Sequence, residues 1–516
     1  MKTGKPLPGN NAASDQSRRV FLKNGAVLSL AVAGSPLLKI SSAAAAASNK
    51  EYINAIQVGM ASFADEGVDT VLDILQKRGA INTIFLNTFT FGDGLSGRQV
   101  AGQPFPDHGP QEPDKNYHGG NYAIPHAKYY QNTVLKDTRS PEYGNRDLVA
   151  EVIKGAHKRG MKVFATIEDQ WHDDVPGIDQ CKEVDLMGRK ARTTCLFNPN
   201  IRAFWADLAT DTCASYDLDG VVFFNERNGP LLNALGASHL VGSVDPSRST
   251  CFCEYHQAAA KARGISFDRT KEGYLKLNEF VKACKADQRP SDGYYVEFQR
   301  IMLDYPEIVA WDRLFDYGKH QIVDDVYKAV KSLNKKQLVG LHIEHVNSFN
   351  PFFRATRDYE DLAKKVDFLK IVVYNNCGGE RYQHFIRNIH STMFKDIPLE
   401  ELMRFNNHLL GYSPSEASYD DLPKAGLSPD YVYRETQRAL NGVKGKCLIL
   451  PGIDIGIPVG KNSRKQSPDD VYQATMAAYK AGANGIILSR KYSEMKLGLI
   501  DAAGRAIRES MTRFKD

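Results

Sequence analysis

The feature that most constrains the fold of this chain is a series of eight short apolar segments with longer helical segments between them. The apolar segments are near-continuous runs of Val, Ile, Leu and Phe, which is typical of parallel strands buried on both faces. They cover residues 55–60, 82–87, 161–167, 219–224, 337–343, 367–374, 447–453 and 485–489. Eight βα units in succession predict a closed (β/α)8 barrel of the α/β class, and not an open doubly wound sheet.

Long loops are predicted after three of these strands. The excursions at 88–143, 168–198 and 225–335 follow the second, third and fourth strands, so we expect them to wall a deep cleft at the C-terminal rim. The third also contains extra helices, around 254–286 and 292–312. No linker composition divides 51–516, which we interpret as a single barrel domain. No G-x-G-x-x-G motif follows the first strand, which weighs against a dinucleotide-binding sheet.

Residues 1–47 resemble a twin-arginine export signal. Arg18 and Arg19 precede the segment Val-Phe-Leu-Lys at 20–23, and a weakly apolar stretch follows at 25–34. That stretch is too short to span a hydrocarbon layer of about 30 Å, and the alanines at 43–47 offer small-residue cleavage sites. The segment predicts a periplasmic or secreted protein, and the alternative is an N-terminal anchor helix.

Removal of the signal changes the charge of the chain. The whole sequence has a net charge of +5, and residues 1–47 carry six basic residues against one acidic residue. The remainder is therefore close to neutral, so the composition favours neither nucleic acid nor an anionic membrane surface as a partner. We expect no integral membrane segment after the signal is removed, and the sequence carries no sign of an oligomeric state.

Polar and aromatic side chains cluster where the predicted strands end. In barrels of this type the functional groups gather at the C-terminal strand ends, because the loops there converge on one axis. The side chains expected there are Asn87, Glu168, Trp171, Asn225, Glu226, His342, Glu344, His345, Tyr374, Asn375, Asp454, Arg490 and Tyr492. Carboxylates, amides, imidazoles and aromatic rings suit a polar ligand that is rich in hydroxyl groups, so the predicted substrate is a carbohydrate.

Glycosidic cleavage needs two carboxyl groups, one protonated and one ionised. Glu226 follows the fourth strand and Asp454 ends the seventh, and these strands face each other across a barrel mouth. We interpret Glu226 as the proton donor, with Asp454 or Glu344 as the second carboxylate and with Glu168 and Glu494 as further candidates for it. The plainer alternatives are a rim ion pair for Glu226 and a turn-capping role for Asp454.

The dipeptide Asn225-Glu226 resembles the Asn-Glu signature of the large clan of retaining (β/α)8 glycosidases. The resemblance implies that Glu226 is the acid/base and that Asn225 contacts the sugar 2-hydroxyl. The clan expects a nucleophilic Glu on the seventh strand, where this sequence has Asp454. The stretches at 217–224, 251–265, 345–376 and 489–495 resemble a group of barrel proteins described as hypothetical glycosyl hydrolases. Together they predict an exported retaining glycoside hydrolase that cleaves an oligo- or polysaccharide.

Two other functions remain open at this point. The first is a periplasmic carbohydrate-binding barrel without catalysis, which would keep its sugar affinity in a Glu226→Gln variant. The second is a metal-dependent sugar isomerase or lyase, since the rim carries Glu, Asp and His residues, and a chelator would abolish its activity.

The loop at 107–130 and Trp171 are the aromatic features that predict sugar contacts. The loop contains His108, His118 and His126 among tyrosines and glycines, and is either a sugar-binding lid or an ordinary solvated loop. Trp171 is either a stacking platform or a hydrophobic plug.

Among eight cysteines, Cys251 and Cys253 form a short motif with His256. Family 42 β-galactosidases carry a cysteine zinc site in a comparable barrel loop. A structural zinc site normally has four ligands and this motif supplies three, so we expect no cofactor, and a disulfide or buried thiols serve equally well. In an oxidising compartment the first disulfide to consider joins Cys181 and Cys195.

Overall fold

Eight parallel strands close into a barrel. They are β1 (Ile53–Val58), β2 (Thr83–Thr90), β3 (Lys162–Glu168), β4 (Gly220–Phe224), β5 (Leu338–Ile343), β6 (Phe368–Val372), β7 (Leu448–Asp454) and β8 (Gly485–Ser489). Each strand pairs with its sequence neighbours, and β8 pairs with β1. The (β/α)8 barrel and its eight predicted strands are therefore confirmed.

The computed structural model describes residues 51–99, 105–114, 116–239, 245–457 and 460–514. These residues belong to one compact unit that spans Glu51–Asp516. The predicted export signal at 1–47 lies outside the described residues. Within the described ranges, no helix combines the length and the apolar character that crossing a bilayer requires.

Helices surround the barrel and extend its loops. The first half of the chain contains Met60–Glu66, Val68–Lys77, Asp93–Ser96, Leu148–Lys158, Pro199–Ser215, Pro230–Leu235, Glu254–Lys261, Phe267–Lys285, Tyr294–Asp304 and Glu307–Leu333. The second half contains Val346–Phe349, Pro351–Thr356, Tyr359–Leu362, Gly378–His390, Leu399–Leu410, Leu422–Ala425, Pro429–Val443, Pro468–Lys480 and Leu497–Arg513. The extra helices predicted after the fourth strand are confirmed, whereas Gly378–His390 and Leu399–Leu410 have no counterpart in the sequence-based prediction.

Two short antiparallel additions shape the rim. Residues Gly120–Asn121 extend the C-terminal end of β2 by pairing with Phe89 and Thr90. A separate hairpin joins Lys182–Val184 to Lys190–Thr194 in the loop after β3. Both fix long loops against the mouth of the barrel.

Aromatic side chains fill the lower half of the barrel interior. Phe85, Phe164 and Phe368 have ring centroids 5.3–5.9 Å apart. Gly340 on β5 makes room for this packing, because a Cβ at that position would lie 2.1 Å from the ring of Phe368. Above this apolar floor the inward-facing residues become polar, and the site begins there.

Candidate functional site

The layer above the aromatic floor is built around a buried lysine on β6. Lys370 donates a hydrogen bond from Nζ to Oε1 of Gln57 at 2.5 Å, and Ser489 donates to the same oxygen at 2.9 Å. Nζ also lies 4.6 Å from the ring centroid of Phe224. The imidazole of His342 stacks on that ring at 4.3 Å, with 12° between the planes. Strand pairing places His342 and Lys370 side by side on β5 and β6.

Glu226 projects into the cleft above this layer. Its Oε1 lies 2.6 Å from Nε2 of His342, and 59% of its side chain is exposed. Desolvation acts to raise the pKa of Glu226. The hydrogen bond from His342 and the positive charges of Lys370 and Arg381 act in the opposite direction and lower it. Together these effects outweigh desolvation at a side chain that is largely exposed, and the pKa of this carboxyl is lowered. Glu226 is therefore ionised at neutral pH.

His342 is the neutral partner of that carboxylate. Burial lowers the pKa of the imidazole, the charge of Lys370 lowers it further, and the bond to Glu226 only partly opposes them. A neutral ring can donate from one nitrogen, so Nε2 carries the hydrogen that Glu226 accepts. The other nitrogen, Nδ1, is buried without a hydrogen-bond partner within the described part of the chain.

Glu168 at the end of β3 has the opposite protonation state. Its carboxyl is buried, accepts a short hydrogen bond from Oγ1 of Thr90, and is 3.2 Å from Nε2 of Gln170. Burial raises the pKa of Glu168 from 4.5 to about 8, and the nearby charge of Glu226 adds to the rise. At neutral pH this carboxyl holds its proton while Glu226 does not. Such a divergence between two neighbouring carboxyls is typical of an acid/base pair.

Lys370 also titrates near neutrality. Burial lowers the pKa of its amine to about 7, against the opposing charge of Glu226. The barrel mouth therefore contains a protonated carboxyl, a carboxylate, a neutral imidazole and an amine close to its titration midpoint. This combination supports proton transfer at neutral pH.

Asn225 and Trp171 are bound to Asp169. The amide of Asn225 donates to Oδ2 of Asp169 at 2.7 Å, and the indole of Trp171 donates to Oδ1 at 2.8 Å. Arg227 completes the network, with Nη1 3.3 Å from Asp169 and Nη2 2.5 Å from Glu183. Trp171 also packs among Phe89, Phe91, Phe204 and Trp205. This geometry favours the plug interpretation for Trp171 and gives Asn225 a role in holding the loop after β3.

Asp454, the predicted second carboxylate, binds backbone. Its Oδ1 accepts from the amides of Asn375 at 3.2 Å and Asn376 at 3.4 Å, and its Oδ2 accepts from Cys377 at 2.9 Å. Burial raises the pKa of this carboxyl, although the backbone hydrogen bonds oppose the rise. Asp454 thus fixes the turn that follows β6, whereas the alternative considered from the sequence was that it caps the turn after its own strand.

Glu344 lies in a buried ion cluster behind β5. Its Oε1 accepts a short hydrogen bond from Lys319 and is 3.8 Å from Nη2 of Arg357. Arg357 in turn pairs with Asp316. His342 lies within β5 and faces Glu226, whereas Glu344 lies beyond the end of the strand at Ile343. Strand alternation therefore does not place the two side chains on the same side.

The remaining predicted rim residues divide into two groups. His345 and Tyr374 both contact Arg381, whose charge acts on Glu226. Nη1 of Arg381 is 3.2 Å from Nδ1 of His345, and its guanidinium lies over the Tyr374 ring. The others are held by contacts with other rim segments or with their own loop: Asn87 to the Leu95 carbonyl, Asn375 to the Leu427 carbonyl at 3.2 Å, Arg490 to the Gly94 carbonyl at 2.8 Å, and Tyr492 to Glu66 at 3.3 Å.

Sequence reasoning missed Lys370, Thr90, Gln57 and Arg381. A signal for Lys370 was present, because a lysine inside the apolar run DFLKIVVY is unusual for a buried strand. Arg381 belongs to the helix Gly378–His390, which was not predicted. Its approach to Glu226 depends on the packing of that helix over the barrel mouth.

Three thiols converge in the loops after β3 and β4. The Sγ atoms of Cys195, Cys251 and Cys253 lie within 4.8 Å of one another, and Cys195 and Cys253 are 3.3 Å apart. Cys195 therefore takes the place in the cluster that the sequence gave to His256, whose buried ring nitrogens lack hydrogen-bond partners in the described ranges. Sulfur ligands suit a soft metal such as zinc, but three thiols are one fewer than a structural zinc site normally has.

The Cys181–Cys195 disulfide considered from the sequence is not formed. Every cysteine is a free thiol, and the sulfur of Cys195 faces Cys253 and not Cys181. The reason is the hairpin Lys182–Val184 with Lys190–Thr194. Next to this hairpin, Cys195 donates its backbone N–H to the Cys181 carbonyl, so the contact between these two residues is a backbone hydrogen bond.

No protein-family model matches the sequence, and no curated protein matches it by sequence. Among solved structures, the alpha-L-fucosidase isoenzyme 2 from Paenibacillus thiaminolyticus matches 89% of this chain and 49% of its own, at 12% identity and a TM-score of 0.46. The PgaB (BpsB) glycoside hydrolase domain from Bordetella bronchiseptica matches 89% of this chain and 99% of its own, at 10% identity and 0.47.

The beta-galactosidase from the psychrophilic Marinomonas ef1 matches 89% of this chain and 59% of its own, at 10% identity and a TM-score of 0.49. This chain thus spans about half the length of the fucosidase. The likeness to these structures is distant, and neither a family nor a substrate follows from it. Membership of a hypothetical glycosyl hydrolase family stays a prediction.

Proposed function

We propose that this protein is a glycoside hydrolase in which Glu168 donates a proton to the leaving oxygen and Glu226 acts as the ionised carboxylate. The observation that carries the proposal is the contrast between two carboxyls at the C-terminal ends of β3 and β4. Glu168 is buried among uncharged partners, which raises its pKa, whereas Glu226 is exposed and bonded to His342, and its pKa is lowered. Cleavage of a glycosidic bond requires such a pair. The role of Glu226 thus changes from the proton donor expected from the sequence to the base or nucleophile.

The surroundings of each carboxyl support these roles. Glu168 is buried against Thr90 and Gln170, which stabilise it without supplying a positive charge in direct contact. Glu226 receives its hydrogen bond from His342 and faces two cations, Lys370 and Arg381. The first environment keeps a proton on the carboxyl and the second removes it.

A carbohydrate is the substrate class that suits this mouth. Near Glu226 lies the guanidinium of Arg381, which contacts the imidazole of His345 and the ring of Tyr374. Donors and acceptors of this kind match hydroxyl-rich ligands. NMR of the first-formed product would distinguish retention of anomeric configuration, which the Asn225-Glu226 resemblance implied, from inversion.

The test compares alkyl glycosides with aryl glycosides, because their leaving groups differ in acidity. An acidic phenol departs without a proton, whereas an alkyl alcohol needs one. We expect Glu168→Gln to lose about 10²–10⁴-fold in kcat/KM on alkyl glycosides and far less on the acidic aryl glycosides. Glu226→Gln should lose a comparable amount on both classes.

The matched control is Glu112→Gln, because Glu112 is a well exposed carboxylate in the loop after β2. Its kinetics should equal those of the wild type. If wild type binds sugars but releases none, the carbohydrate-binding alternative replaces the hydrolase. If a chelator abolishes turnover, the metal-dependent isomerase or lyase takes its place.

We also propose that the chain is exported to the periplasm or beyond through the twin-arginine pathway. The support is Arg18-Arg19 with its following apolar stretch. A reporter fused to residues 1–47 should leave the cytoplasm, and the Arg18→Lys, Arg19→Lys double variant should retain it there. Export of the double variant at the wild-type rate would contradict the proposal.

A further inference from the structure

Two histidines and an aspartate from different loops converge at the outer edge of the cleft. His118 comes from the loop after β2, and His172 and Asp174 come from the loop after β3. Nε2 of His118 lies 2.9 Å from Oδ2 of Asp174, and Nδ1 of His172 lies 3.6 Å from Oδ1 of the same carboxylate. One ligand atom from each of the three lies within 4.8 Å of the other two.

The tautomer of His118 is fixed by its other nitrogen. Nδ1 lies 3.0 Å from the carbonyl oxygen of Gly119, which can only accept, so Nδ1 carries a hydrogen. In a neutral ring Nε2 then presents a lone pair, and that lone pair faces the Asp174 carboxylate. Two acceptors at 2.9 Å require a cation between them or a second proton on the ring. Donation of the remaining N–H to a carbonyl is the arrangement that metal-bound histidines show.

The backbone that carries His118 is held in place. The amides of His118 and Gly119 both donate to Oε1 of Glu142 at 2.7 Å. Gly119 has a φ of +79°, and a Cβ there would lie 2.4 Å from the Thr90 carbonyl, so this turn requires glycine. The ring of Phe91 lies 5.6 Å from His118 and 5.9 Å from His172. The site is therefore preorganised by contacts outside the three side chains.

We propose that His118, His172 and Asp174 bind a divalent transition-metal ion of the zinc type, which ties the loop after β2 to the loop after β3. Ligands of a tetrahedral zinc with bonds of about 2.0–2.1 Å lie roughly 3.3 Å apart. The His118 nitrogen and Oδ2 of Asp174, 2.9 Å apart, are near that spacing, and one ligand atom from each of the three residues lies within 4.8 Å of the other two. Imidazole nitrogens select zinc-like ions over Mg²⁺ and Ca²⁺, which prefer oxygen ligands.

The metal would act as a clip at the rim of the cleft. His172 follows Glu168 by four residues, so an ion here restrains the loop that begins at the proton donor. Three protein ligands leave one position for water or for a hydroxyl of a bound ligand. All three side chains reach solvent, which allows the ion to exchange.

The test is calorimetric titration of the reduced full chain with Zn²⁺. We expect His118→Asn and His172→Asn each to abolish one binding event or weaken it by about tenfold or more. The control is His157→Asn, because His157 is a half-buried histidine, about as accessible as His118, that faces Asp217 and Asp219 with no second histidine grouped with them in the described part of the chain. It should leave every binding event unchanged.

The buried thiols provide a second place for zinc, so the events need separate assignment. Co²⁺ bound by thiolates gives an intense sulfur charge-transfer band, whereas Co²⁺ on nitrogen and oxygen gives only weak visible bands. The proposal predicts that His118→Asn removes the weak visible bands of Co²⁺ and leaves the sulfur charge-transfer band unchanged. Asp174→Asn, an exposed position, repeats the test if a histidine variant unfolds. Zn²⁺ titrations that are identical in wild type and all three variants would show an imidazolium–carboxylate pair and overturn the proposal.

Discussion

His342 donates a hydrogen bond from a buried imidazole to Glu226, whose carboxylate is largely exposed, across 2.6 Å. The imidazole itself is held by stacking on Phe224, inside the barrel. A rigid donor below and an accessible carboxylate above give Glu226 a fixed direction and a low pKa together. Through this hydrogen bond, a residue of the barrel interior controls the ionisation of a carboxylate in the cleft.

Replacement of His342 by Asn should weaken this control. Without the imidazole bond, the pKa of Glu226 should rise toward the ordinary glutamate value of about 4.3. The acidic limb of the kcat/KM profile should therefore move to higher pH, while the basic limb stays in place. A profile of hydrolysis against pH checks this, with His126→Asn on the rim as the control. An unchanged acidic limb would show that His342 does not set the ionisation of Glu226.

Replacement of Glu168 by Gln should change how stability depends on pH. Burial raises the pKa of Glu168 from 4.5 to about 8, so the folded chain holds a proton that the unfolded chain loses across this interval. Its contribution to stability is complete below the lower value and disappears as the pH rises through 8. Urea unfolding should show the stability advantage of the wild type over Glu168→Gln shrinking across that range. A constant difference would mean an ordinary pKa.

Replacement of Lys370 by Met should have the opposite pH dependence. Burial lowers the pKa of Lys370 from 10.5 to about 7, so between these values the unfolded chain holds a proton that the folded chain has lost. Stability from this group is present above the upper value and is lost as the pH falls through 7. Lys370→Met should therefore gain stability relative to the wild type as the pH falls from 10.5 to 7. The exposed Lys158→Met should show no such trend in the same unfolding series.

Replacement of Asp454 by Asn separates a structural carboxylate from a catalytic one. An amide nitrogen in place of one oxygen would face a backbone N–H, so at least one of the three hydrogen bonds is lost. We expect a loss of about 1–3 kcal/mol in unfolding free energy and a fall in kcat below tenfold. If Asp454 is instead the nucleophile, activity should collapse by 10²-fold or more while stability changes little.

The sequence predicted the barrel because its strands are buried on both faces and read as uninterrupted apolar runs. The runs that contain Phe164 and Phe368 were recognised in this way, and the strands fall where they were expected. Boundaries were less certain, since β2 continues to Thr90, three residues beyond the predicted end. That extension matters, because Thr90 supplies the hydrogen bond to Glu168.

The chemistry was predictable only in part. Position along the chain placed Glu168, Glu226 and Asp454 at strand ends, and the structure confirms that location. Which of them keeps a proton depends on burial and on partners that are remote in sequence, such as His342 for Glu226 and the amides of 375–377 for Asp454. No local pattern records those contacts, so the roles had to come from the folded structure.

The most direct test of the account is a titration of the two carboxyls themselves. The chain would be labelled with ¹³C at the glutamate side-chain carboxyl, and the resonances assigned with Glu168→Gln and Glu226→Gln. The account predicts that the resonance missing from Glu168→Gln titrates near pH 8, and that the one missing from Glu226→Gln remains ionised below the usual glutamate range. Titration of both near 4.5, or of Glu226 at the higher pH, would contradict the assigned roles.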